Sequence, residues 1–392
     1  MIDYDDASVG TRLRQIRQAR GKSLRVVAGL AGISYSHLSR LESGERSLDR
    51  RSVIAALADV LQVSPMDILG TPIPTNGDGT TDTSIDGIRH AVQAVTMGVP
   101  DGQLQPVDQL LARMRTALSA AQHCRYAELG LALPGLIRDL HTTLDAGRGD
   151  TELLRMTTVF HQQATGGYLH TVSAPGDLCW QAVCLGRDAA QHLDEPVPLG
   201  ITAWGAANSL LTFSSLDLAT KALDTAPAST GDEQLDGMLS LTRSLVAAAT
   251  GRTADVDGPL EHAADLAGRT GEGNNHFMSF GPTNVTLWRM SVALESGDHE
   301  RAAALADTVV ESRIPAPKRR AHFHINTARA LAGVRHRDKA VMALRRAEQI
   351  SPQSVTRGPI ARSLLAELVA RAKRDAVGRE LRGMAYRAGL PV

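Results

Sequence analysis

Glycines and capping side chains divide the first 70 residues into five short segments, and this punctuation constrains the fold more than any other feature of the sequence. Val9, Leu13 and Ile16 recur at helical spacing and predict a first helix near Val9–Ala19. Four further helices are expected to begin after an N-cap, where a side-chain oxygen satisfies free backbone N–H groups. The predicted caps are Ser23, Ser34, Asp49 and Ser64. The pattern predicts one small all-α domain over residues 1–70.

Residues 71–84 separate this segment from the rest of the chain. They read TPIPTNGDGTTDTS, a composition of prolines, glycines and small polar residues that predicts a flexible linker. Residues 85–392 then show longer helical patterns and no alternating strand pattern. Aromatic residues make up only 3% of the chain, which also favours helices over a β-sandwich or barrel. The predicted fold class is therefore all-α.

The formal net charge of zero conceals an uneven distribution of charge. Residues 10–52 carry 10 Lys and Arg against 3 Asp and Glu, residues 71–317 are acidic, and residues 318–392 are basic. A compact basic segment is typical of a module that binds phosphate groups. Solvated arginines on helix surfaces are the common explanation for a basic segment such as 318–392. The acidic middle argues against nucleic acid binding along the whole chain.

The segment GKSLRVVAGLAGISYSHLSRLESGER, residues 21–46, resembles the Cro/repressor-like (XRE-type) helix-turn-helix family. In that family, two short helices are joined by a turn, here at Gly32, and the second enters the major groove of DNA. The resemblance implies a five-helix domain that binds a double-stranded operator. The DNA-binding residues it implies are Ser23, Arg25, Tyr35, Ser36, His37, Ser39, Arg40, Arg46 and Ser47.

The implied roles differ within this set. Arg40 is expected to make a bidentate contact with guanine, while Arg46 and Ser47 match positions that touch phosphate. One such domain buries limited area on DNA, so a homodimer is expected, with its interface largely outside the first 70 residues. A similar small helical domain used for protein contacts is the alternative interpretation.

Three further positions concern the structure of the domain. The resemblance implies that Arg17 and Glu42 form an ion pair that ties the first helix to the third. Leu24 departs from the family, which often has a phosphate-binding glutamine there. Leucine donates no hydrogen bond, so either the phosphate contact there is weaker or Ser23 and Arg25 take it over, at a helix N-terminus that favours anionic oxygens.

Residues from Ala321 to Pro352 resemble a tetratricopeptide repeat, with Ala340, Ala347 and Pro352 at its small-residue and terminal-proline positions. A weaker copy around Ala302 lies 38 residues upstream of Ala340, close to the roughly 34 of that repeat. The resemblance implies a tetratricopeptide-like α-solenoid in residues 85–392, whose first helices line a concave face.

Polar and aromatic residues on those first helices are candidates for binding a ligand. Asparagine pairs with both backbone groups of an extended peptide, and tryptophan supplies a rigid anchoring surface. Each candidate also has a structural explanation: a tryptophan can simply pack in the core, and an asparagine can cap a helix or lie exposed. The ligand site is therefore predicted as a group of residues and not from any single one. They are His161, Gln162, Trp180, Trp204, Asn208, Asn275, Phe280, Asn284, Trp288, His322 and Asn326.

The whole layout resembles two groups of regulators. One is the peptide-sensing, tetratricopeptide-type quorum regulators of Gram-positive bacteria. The other is the actinobacterial repressor-like regulators, to which the strings FGPTNV and LRGMAYRAGL are similar. Both imply a transcriptional regulator whose helical region senses a small molecule or short peptide and alters DNA binding. A helical region that binds only a protein partner, and an enzyme with a DNA-targeting head, remain alternatives.

No motif for catalysis, a cofactor or a metal stands out. His322 and His324 are two residues apart, so on a helix they point apart and chelate poorly. Cys124, Cys179 and Cys184 lack paired spacing and suggest reduced thiols. Neither a Ser-His-Asp arrangement nor a phosphate loop is recognisable, so we expect no enzyme activity, cofactor or metal. The sequence shows no signal peptide or membrane-length apolar stretch, and a cytoplasmic protein is expected.

Overall fold

The computed structural model describes residues 8–70 and 79–390, and all regular secondary structure in these ranges is helical. The all-α prediction is therefore confirmed. Each of the five predicted N-terminal helices is present, and together they form what we call the N-terminal bundle. They are α1 (Val9–Ala19), α2 (Leu24–Leu30), α3 (Tyr35–Glu42), α4 (Arg51–Leu61) and α5 (Pro65–Leu69).

Predicted caps and a glycine turn set the ends of α2 and α3. The side chains of Ser23 and Ser34 accept hydrogen bonds from the backbone N–H groups of Val26 and His37, at 3.3 and 3.1 Å. Gly32, in the turn between the two helices, has φ +66°, a left-handed conformation that glycine adopts without steric strain. Local sequence therefore explains why these two helices are short and adjoin at a tight turn.

The predicted cap of α4 is wrong. Arg50 occupies the N-cap position, and no side chain caps the helix. Asp49, the predicted cap, instead accepts from Arg329, with 3.2 Å between Nε and Oδ2. A charged partner far along the chain thus replaces the local backbone donors, because a buried carboxylate gains more from a cation than from a backbone N–H.

Apolar burial stabilises the bundle. Leu13, Val27, Leu38, Leu57 and Leu61 are fully buried in one core. Burying such a side chain contributes about 1.5–3 kcal/mol, whereas helices of this length are marginal in isolation. The inward faces of the short helices therefore hold the bundle together, and the outward face of α3 contributes little to its stability.

The remaining helices form what we call the C-terminal region. They are α6 (Gly79–Thr96), α7 (Val107–Gln122), α8 (Tyr126–Thr143), α9 (Thr151–Val159), α10 (Gly167–Thr171), α11 (Gly176–Leu193), α12 (Pro196–Thr212), α13 (Leu216–Asp224), α14 (Glu233–Ala249), α15 (Asp257–Thr270), α16 (Pro282–Glu295), α17 (His299–Thr308), α18 (Pro317–Gly333), α19 (Arg337–Ile350), α20 (Pro352–Thr356), α21 (Pro359–Ala370) and α22 (Ala376–Arg387). Two π-helical segments, Leu144–Arg148 and Phe160–Gly166, follow α8 and α9. Short 3₁₀ turns occur at Thr253–Asp255, Asn275–Phe277 and Glu311–Arg313.

The predicted linker, 71–84, is only partly within the described residues. Residues 71–78 lie outside them, while 79–84 form the first turns of α6, contrary to the prediction. Ser84 is buried, and Asp82 accepts a hydrogen bond from Arg357 at 2.8 Å. Packing and an ion pair therefore extend the helix into a sequence whose composition alone is typical of a linker.

Successive helices of the C-terminal region pack as pairs, among them α12 with α13, α14 with α15, α16 with α17, and α18 with α19. Such pairing is what stacked helical repeats require, while their identification as tetratricopeptide repeats stays a prediction. One large apolar core runs through the helices from α6 to α16. Among the described helices, none has both the length and the apolar character needed to cross a bilayer.

The N-terminal bundle contacts the C-terminal region through residues 45–52, which we call the joint. Within it, Ser47 N–H donates to a carboxylate oxygen of Glu367, and Leu48 N–H donates to the hydroxyl of Ser363, both at 2.9 Å. Both donors belong to the segment between α3 and α4. The position of α3 relative to the C-terminal region is therefore fixed by side chains of that region.

Candidate functional site

The outer face of α3 is open to solvent. Tyr35 is 56% exposed, Ser36 and Arg40 are exposed, and His37 and Ser39 are half-buried. Arg40 Nε–H donates to the backbone carbonyl of Ser36 at 3.2 Å, so its guanidinium lies along the helix. All five residues predicted to read base edges or lie beside them are thus on one helix whose polar face is uncovered.

The residues predicted to contact phosphate differ in their exposure and in their existing hydrogen bonds. Arg25 and Arg46 are exposed, as such contacts require. The Ser23 hydroxyl is engaged as the cap of α2. Ser47 is half-buried at the joint, where its N–H is bonded to Glu367. Ser47 is therefore the predicted DNA-binding residue least able to reach phosphate in this arrangement of the chain.

Arginines surround His37. Burial lowers the pKa of His37, and the positive charges of Arg46, Arg50 and Arg40 lower it further, with only Asp49 opposing them. His37 is accordingly neutral near pH 7 and offers one donor and one acceptor. The positive potential at this end of α3 comes from the arginines.

The structure contains the ion pair expected between Arg17 and Glu42. Arg17 Nε and Nη2 donate to the two carboxylate oxygens of Glu42 at 2.6 and 2.8 Å. Both side chains are buried, and the hydrogen bond to Glu42 raises the pKa of Arg17 despite burial. Leu24 is partly buried against the apolar core of the bundle, so leucine has a packing role there.

Two buried ion pairs cross the joint. Arg329 Nε donates to Asp49 Oδ2 at 3.2 Å, and Arg329 Nη2 donates to the backbone carbonyl of Asp49 at 3.0 Å. Arg51, the first residue of α4, donates from Nη1 to Glu295 Oε2 at 3.1 Å. Glu295 Oε1 also accepts from the backbone N–H of Ser52 at 3.1 Å. Charge pairing therefore fixes the start of α4 to α16 and α18.

A cavity of about 340 Å³ lies within the C-terminal region, lined mainly by α12, α16, α18 and residues 162–171, and Arg51 of the N-terminal bundle lines it too. Its volume is near the lower end of the range for small-molecule sites, about 300–1,000 Å³. The structure places seven of the predicted ligand-binding residues in its wall. They are Gln162, Trp204, Asn208, Asn284, Trp288, His322 and Asn326.

The other four predicted ligand-binding residues lie outside the wall of this cavity. His161 and Phe280 are fully buried in the core. Asn275 Nδ2 donates to Asp232 Oδ2 at 2.9 Å, within a 3₁₀ turn. Trp180 is half-buried on α11 and is not among the cavity residues. These residues were predicted from their polar or aromatic character on first helices, and that character does not determine which side chains the neighbouring helices cover.

Backbone geometry brings Gln162 to the cavity. The residue lies in the π-helical segment Phe160–Gly166, and such local widening often occurs at functional sites. Its Nε2 donates to the carbonyl of Val183 at 3.1 Å. A Cβ at Gly205 of α12 would lie 1.9 Å from Gln162 Oε1, so this approach requires glycine.

Six polar atoms in the cavity wall are buried and have no hydrogen-bond partner within the residues that the structure describes. They are Gln162 Oε1, Gln163 Nε2, His170 Nδ1, Trp204 Nε1, Asn284 Oδ1 and Trp288 Nε1. An unsatisfied buried polar group costs about 1–3 kcal/mol, and few occur in native proteins. Unsatisfied polar atoms are therefore concentrated around this one cavity.

Positive charge dominates the cavity. Arg51, Lys318 and Arg319 line it, and its described wall contains no Asp or Glu. Burial and the neighbouring Arg319 lower the pKa of Lys318 to about 8, and burial lowers that of Arg319 to about 10. His322 faces the cavity and keeps accessible surface there, yet enclosure by protein and all three cations lower its pKa to about 3. Lys318 and Arg319 are thus mainly charged at pH 7, and His322 is neutral.

The N-terminal bundle matches a family model described as "Helix-turn-helix domain" over residues 8–68. Residues 8–68 form a helix-turn-helix domain. The chain therefore carries an N-terminal DNA-binding domain of this type ahead of a long helical region, as the resemblance predicts.

Comparison of the whole chain adds little to this assignment. The crystal structure of Bacillus thuringiensis PlcR in complex with the peptide PapR7 and DNA is similar at 13% identity. That likeness covers 76% of this chain and 94% of that chain, with a TM-score of 0.30, and is too weak to transfer a binding mode. No curated protein matches the sequence.

Sequence reasoning missed five cavity residues that carry charge or unpaired atoms: Arg51, Gln163, His170, Lys318 and Arg319. Aromatic and amide side chains suggest ligand contacts from sequence, whereas a run of basic residues on a helix is typical of solvated surface. The string PKRR at the start of α18 is the one local signal that could have suggested an anion site. Nothing local connects Arg51, in the helix-turn-helix domain, with a cavity formed by distant helices.

Proposed function

We propose that the chain is a sequence-specific transcriptional regulator whose helical region senses a small molecule or short peptide and forms a homodimer. The shared cavity wall is the observation that supports this most strongly. Arg51 belongs to the helix-turn-helix domain, yet it lines the cavity in the C-terminal region. A molecule bound there contacts both parts of the chain. It changes DNA binding if it favours one arrangement of the two parts over another.

Exposed arginines support the DNA-binding role. Arg25, Arg40 and Arg46 are exposed on α2, on α3 and in the segment after α3. In the proposed complex, α3 lies in the major groove and Arg40 contacts a base edge, while Arg25 and Arg46 contact phosphates on either side. The phosphate contacts position the domain, and the base contact supplies sequence preference.

Selection from a pool of random DNA duplexes tests the proposal. We expect the full-length chain to enrich two inverted half-sites about 34–36 Å apart, because a symmetric dimer presents two recognition helices. Binding should weaken steeply as salt rises, since arginines displace counterions from DNA. Enrichment of a lone half-site would contradict the homodimer. Absence of salt-sensitive binding to any duplex would contradict the DNA-binding role.

Arg40→Ala is expected to weaken binding to the enriched duplex by about 1–3 kcal/mol and to relax the preference at one base pair. Fluorescence anisotropy with the enriched duplex and with single-base variants measures both effects. Arg46→Ala is the matched control, because loss of a phosphate contact should weaken binding to all duplexes alike. Unchanged sequence preference in Arg40→Ala would show that another side chain reads the operator.

A further inference from the structure

We propose that the cavity binds a small amphipathic organic anion, with its acidic group between Arg51, Lys318 and Arg319 and its apolar part against the rings of Trp204 and Trp288. This inference rests on the proposed sensing role and specifies the chemical class of the molecule sensed. It follows from three properties of the cavity: its charge, its unpaired polar atoms and its apolar wall.

The charge of the cavity is not balanced by its own residues. Arg51 is paired with Glu295, which lies outside the wall, and Arg319 Nη2 donates to the carbonyl of Met278 at 3.0 Å. Lys318 has no hydrogen bond or ion pair to any residue in the described ranges. A Cβ added at Gly167 would lie 3.0 Å from Lys318 Nζ, so glycine leaves this ammonium group room. Lys318 and Arg319 thus carry like charges with no carboxylate partner in the described residues, and a bound anion offsets their repulsion.

The unpaired polar atoms fit an anion that also carries a donor. Trp204 Nε1, Trp288 Nε1 and Gln163 Nε2 are donors without acceptors in the described protein. They supplement the cations, because hydrogen bonds to an ionised acceptor are the strong ones. Gln162 Oε1 and Asn284 Oδ1 are acceptors without donors, which suits a hydroxyl, amide or amine elsewhere on the ligand.

The apolar wall and the volume restrict the rest of the ligand. Leu118, Val183, Leu211, Leu245 and Leu287 line the cavity together with the indole rings. An inorganic ion would leave this surface uncovered. A volume of about 340 Å³ suits a molecule of small-drug size and is short for a peptide of many residues. A small organic acid with an apolar part satisfies both limits.

The anion site also connects to the joint. Arg51 Nη1 donates to Glu295 Oε2, and Glu295 Oε1 accepts from the backbone N–H of Ser52 at the start of α4. The Glu295 side chain is 0% exposed, so it depends on these donors for compensation of its charge. An anion that binds Arg51 shares the guanidinium, and hence its positive charge, with Glu295. Occupancy of the cavity therefore alters the interaction that fixes α4.

A matched pair of fluorescent probes tests the inference on the full-length protein. Anilinonaphthalene sulfonate carries an aromatic amine with an acidic group, and N-phenylnaphthylamine is its uncharged counterpart. We expect the sulfonate to bind one site per chain at least about ten-fold more tightly than the neutral probe, since a charged hydrogen bond is worth about 1.5–3 kcal/mol. Equal affinities of the two probes would overturn the inference.

Substitutions of cavity residues test whether the preference for the sulfonate probe arises in this cavity. Lys318→Met and Arg51→Gln should each weaken sulfonate binding about ten-fold or more without weakening binding of the neutral probe. Lys339→Met removes an exposed lysine of α19 and is the matched control, with no effect on either probe expected. Circular dichroism checks that each variant is folded. If both folded cavity variants bind the sulfonate as tightly as the unsubstituted chain, the anion site is not in this cavity.

Displacement of the sulfonate probe identifies the source of the acidic group. The competitors are octanoate against octanamide, a short apolar peptide with a free against an amidated C-terminus, and inorganic phosphate. Stronger displacement by octanoate than by octanamide, or by the free-acid peptide than by the amidated one, supports the inference. The stronger of these two acids shows whether a fatty acid or a peptide carries the acidic group. Displacement by phosphate alone, or equal competition by acid and amide, overturns it.

The anion site and the proposed function fail in different ways. If the protein prefers the sulfonate probe but enriches no duplex, the anion site is supported and DNA binding is contradicted. If the protein enriches a duplex but binds both probes equally, DNA binding is supported and the anion site is contradicted.

Discussion

Arg329→Ala is expected to lower the free energy of unfolding by about 3–5 kcal/mol, the range for removing one partner of a buried ion pair. Arg329 is only 4% exposed, and its guanidinium donates to both the carboxylate and the backbone carbonyl of Asp49. Alanine leaves the Asp49 charge buried without this partner, at the joint between the helix-turn-helix domain and the C-terminal region. Chemical denaturation followed by circular dichroism measures the loss.

Arg113→Ala is the control for this prediction. Its guanidinium lies 2.7 Å from Asp139, a shorter contact than that between Arg329 and Asp49, but the Arg113 side chain is 41% exposed. Exposed pairs contribute about 0–1 kcal/mol, so the control should lose no more than that. Asp49→Ala combined with Arg329→Ala should cost less than the sum of the single variants, because the two side chains interact directly. Equal losses in Arg329→Ala and Arg113→Ala would show that the buried pair does not stabilise the joint.

Lys318→Met is expected to stabilise the unliganded protein at pH 7, by at most about 3 kcal/mol. Burial, followed by the charge of Arg319, lowers the pKa of Lys318 from 10.5 to about 8, with Cys124 opposing. The unfolded chain keeps this proton up to its ordinary pKa, whereas the folded chain loses it near pH 8. The free energy of unfolding of the unsubstituted protein should therefore rise between pH 8 and pH 10.5, because folding no longer has to bury a charged Lys318.

The advantage of Lys318→Met should accordingly be largest below pH 8 and should shrink as pH rises towards 10.5. Urea titrations at pH 7 and pH 10 measure the difference, with Lys339→Met as the exposed control. A stability difference that is the same at both pH values would contradict the buried, charged state of Lys318. The same variant should bind the sulfonate probe poorly. Lys318 therefore lowers stability but strengthens ligand binding, a combination that is common at functional sites.

Local physics determines most of the helix-turn-helix domain, and it was predictable from the sequence for that reason. Caps at Ser23 and Ser34 and the turn at Gly32 act within a few residues. The pair of Arg17 and Glu42 was available only from the family resemblance, because its partners are far apart in the chain. Asp49 marks the limit of local reasoning, since its best partner is 280 residues away.

The C-terminal region was predictable as helical but not as a site. Seven of the eleven candidate residues line the cavity, because polar and aromatic side chains on these helices do converge. Lys318 and Arg319 were passed over, since a basic string on a helix usually faces solvent. Their enclosure depends on how α18 packs against α7 and α16, which no local pattern encodes. Whether the cavity residues bind a ligand stays a prediction.

Coupling between the cavity and the DNA-binding surface is tested most directly by titrating the enriched duplex with full-length protein, with and without saturating anilinonaphthalene sulfonate. We expect the Kd for the duplex to change by about five-fold or more, the lower range of typical allosteric coupling. Because linkage is reciprocal, the Kd for the probe should change by the same factor in saturating duplex. A protein that binds both, with each affinity unchanged by the other, would contradict control of DNA binding from the cavity.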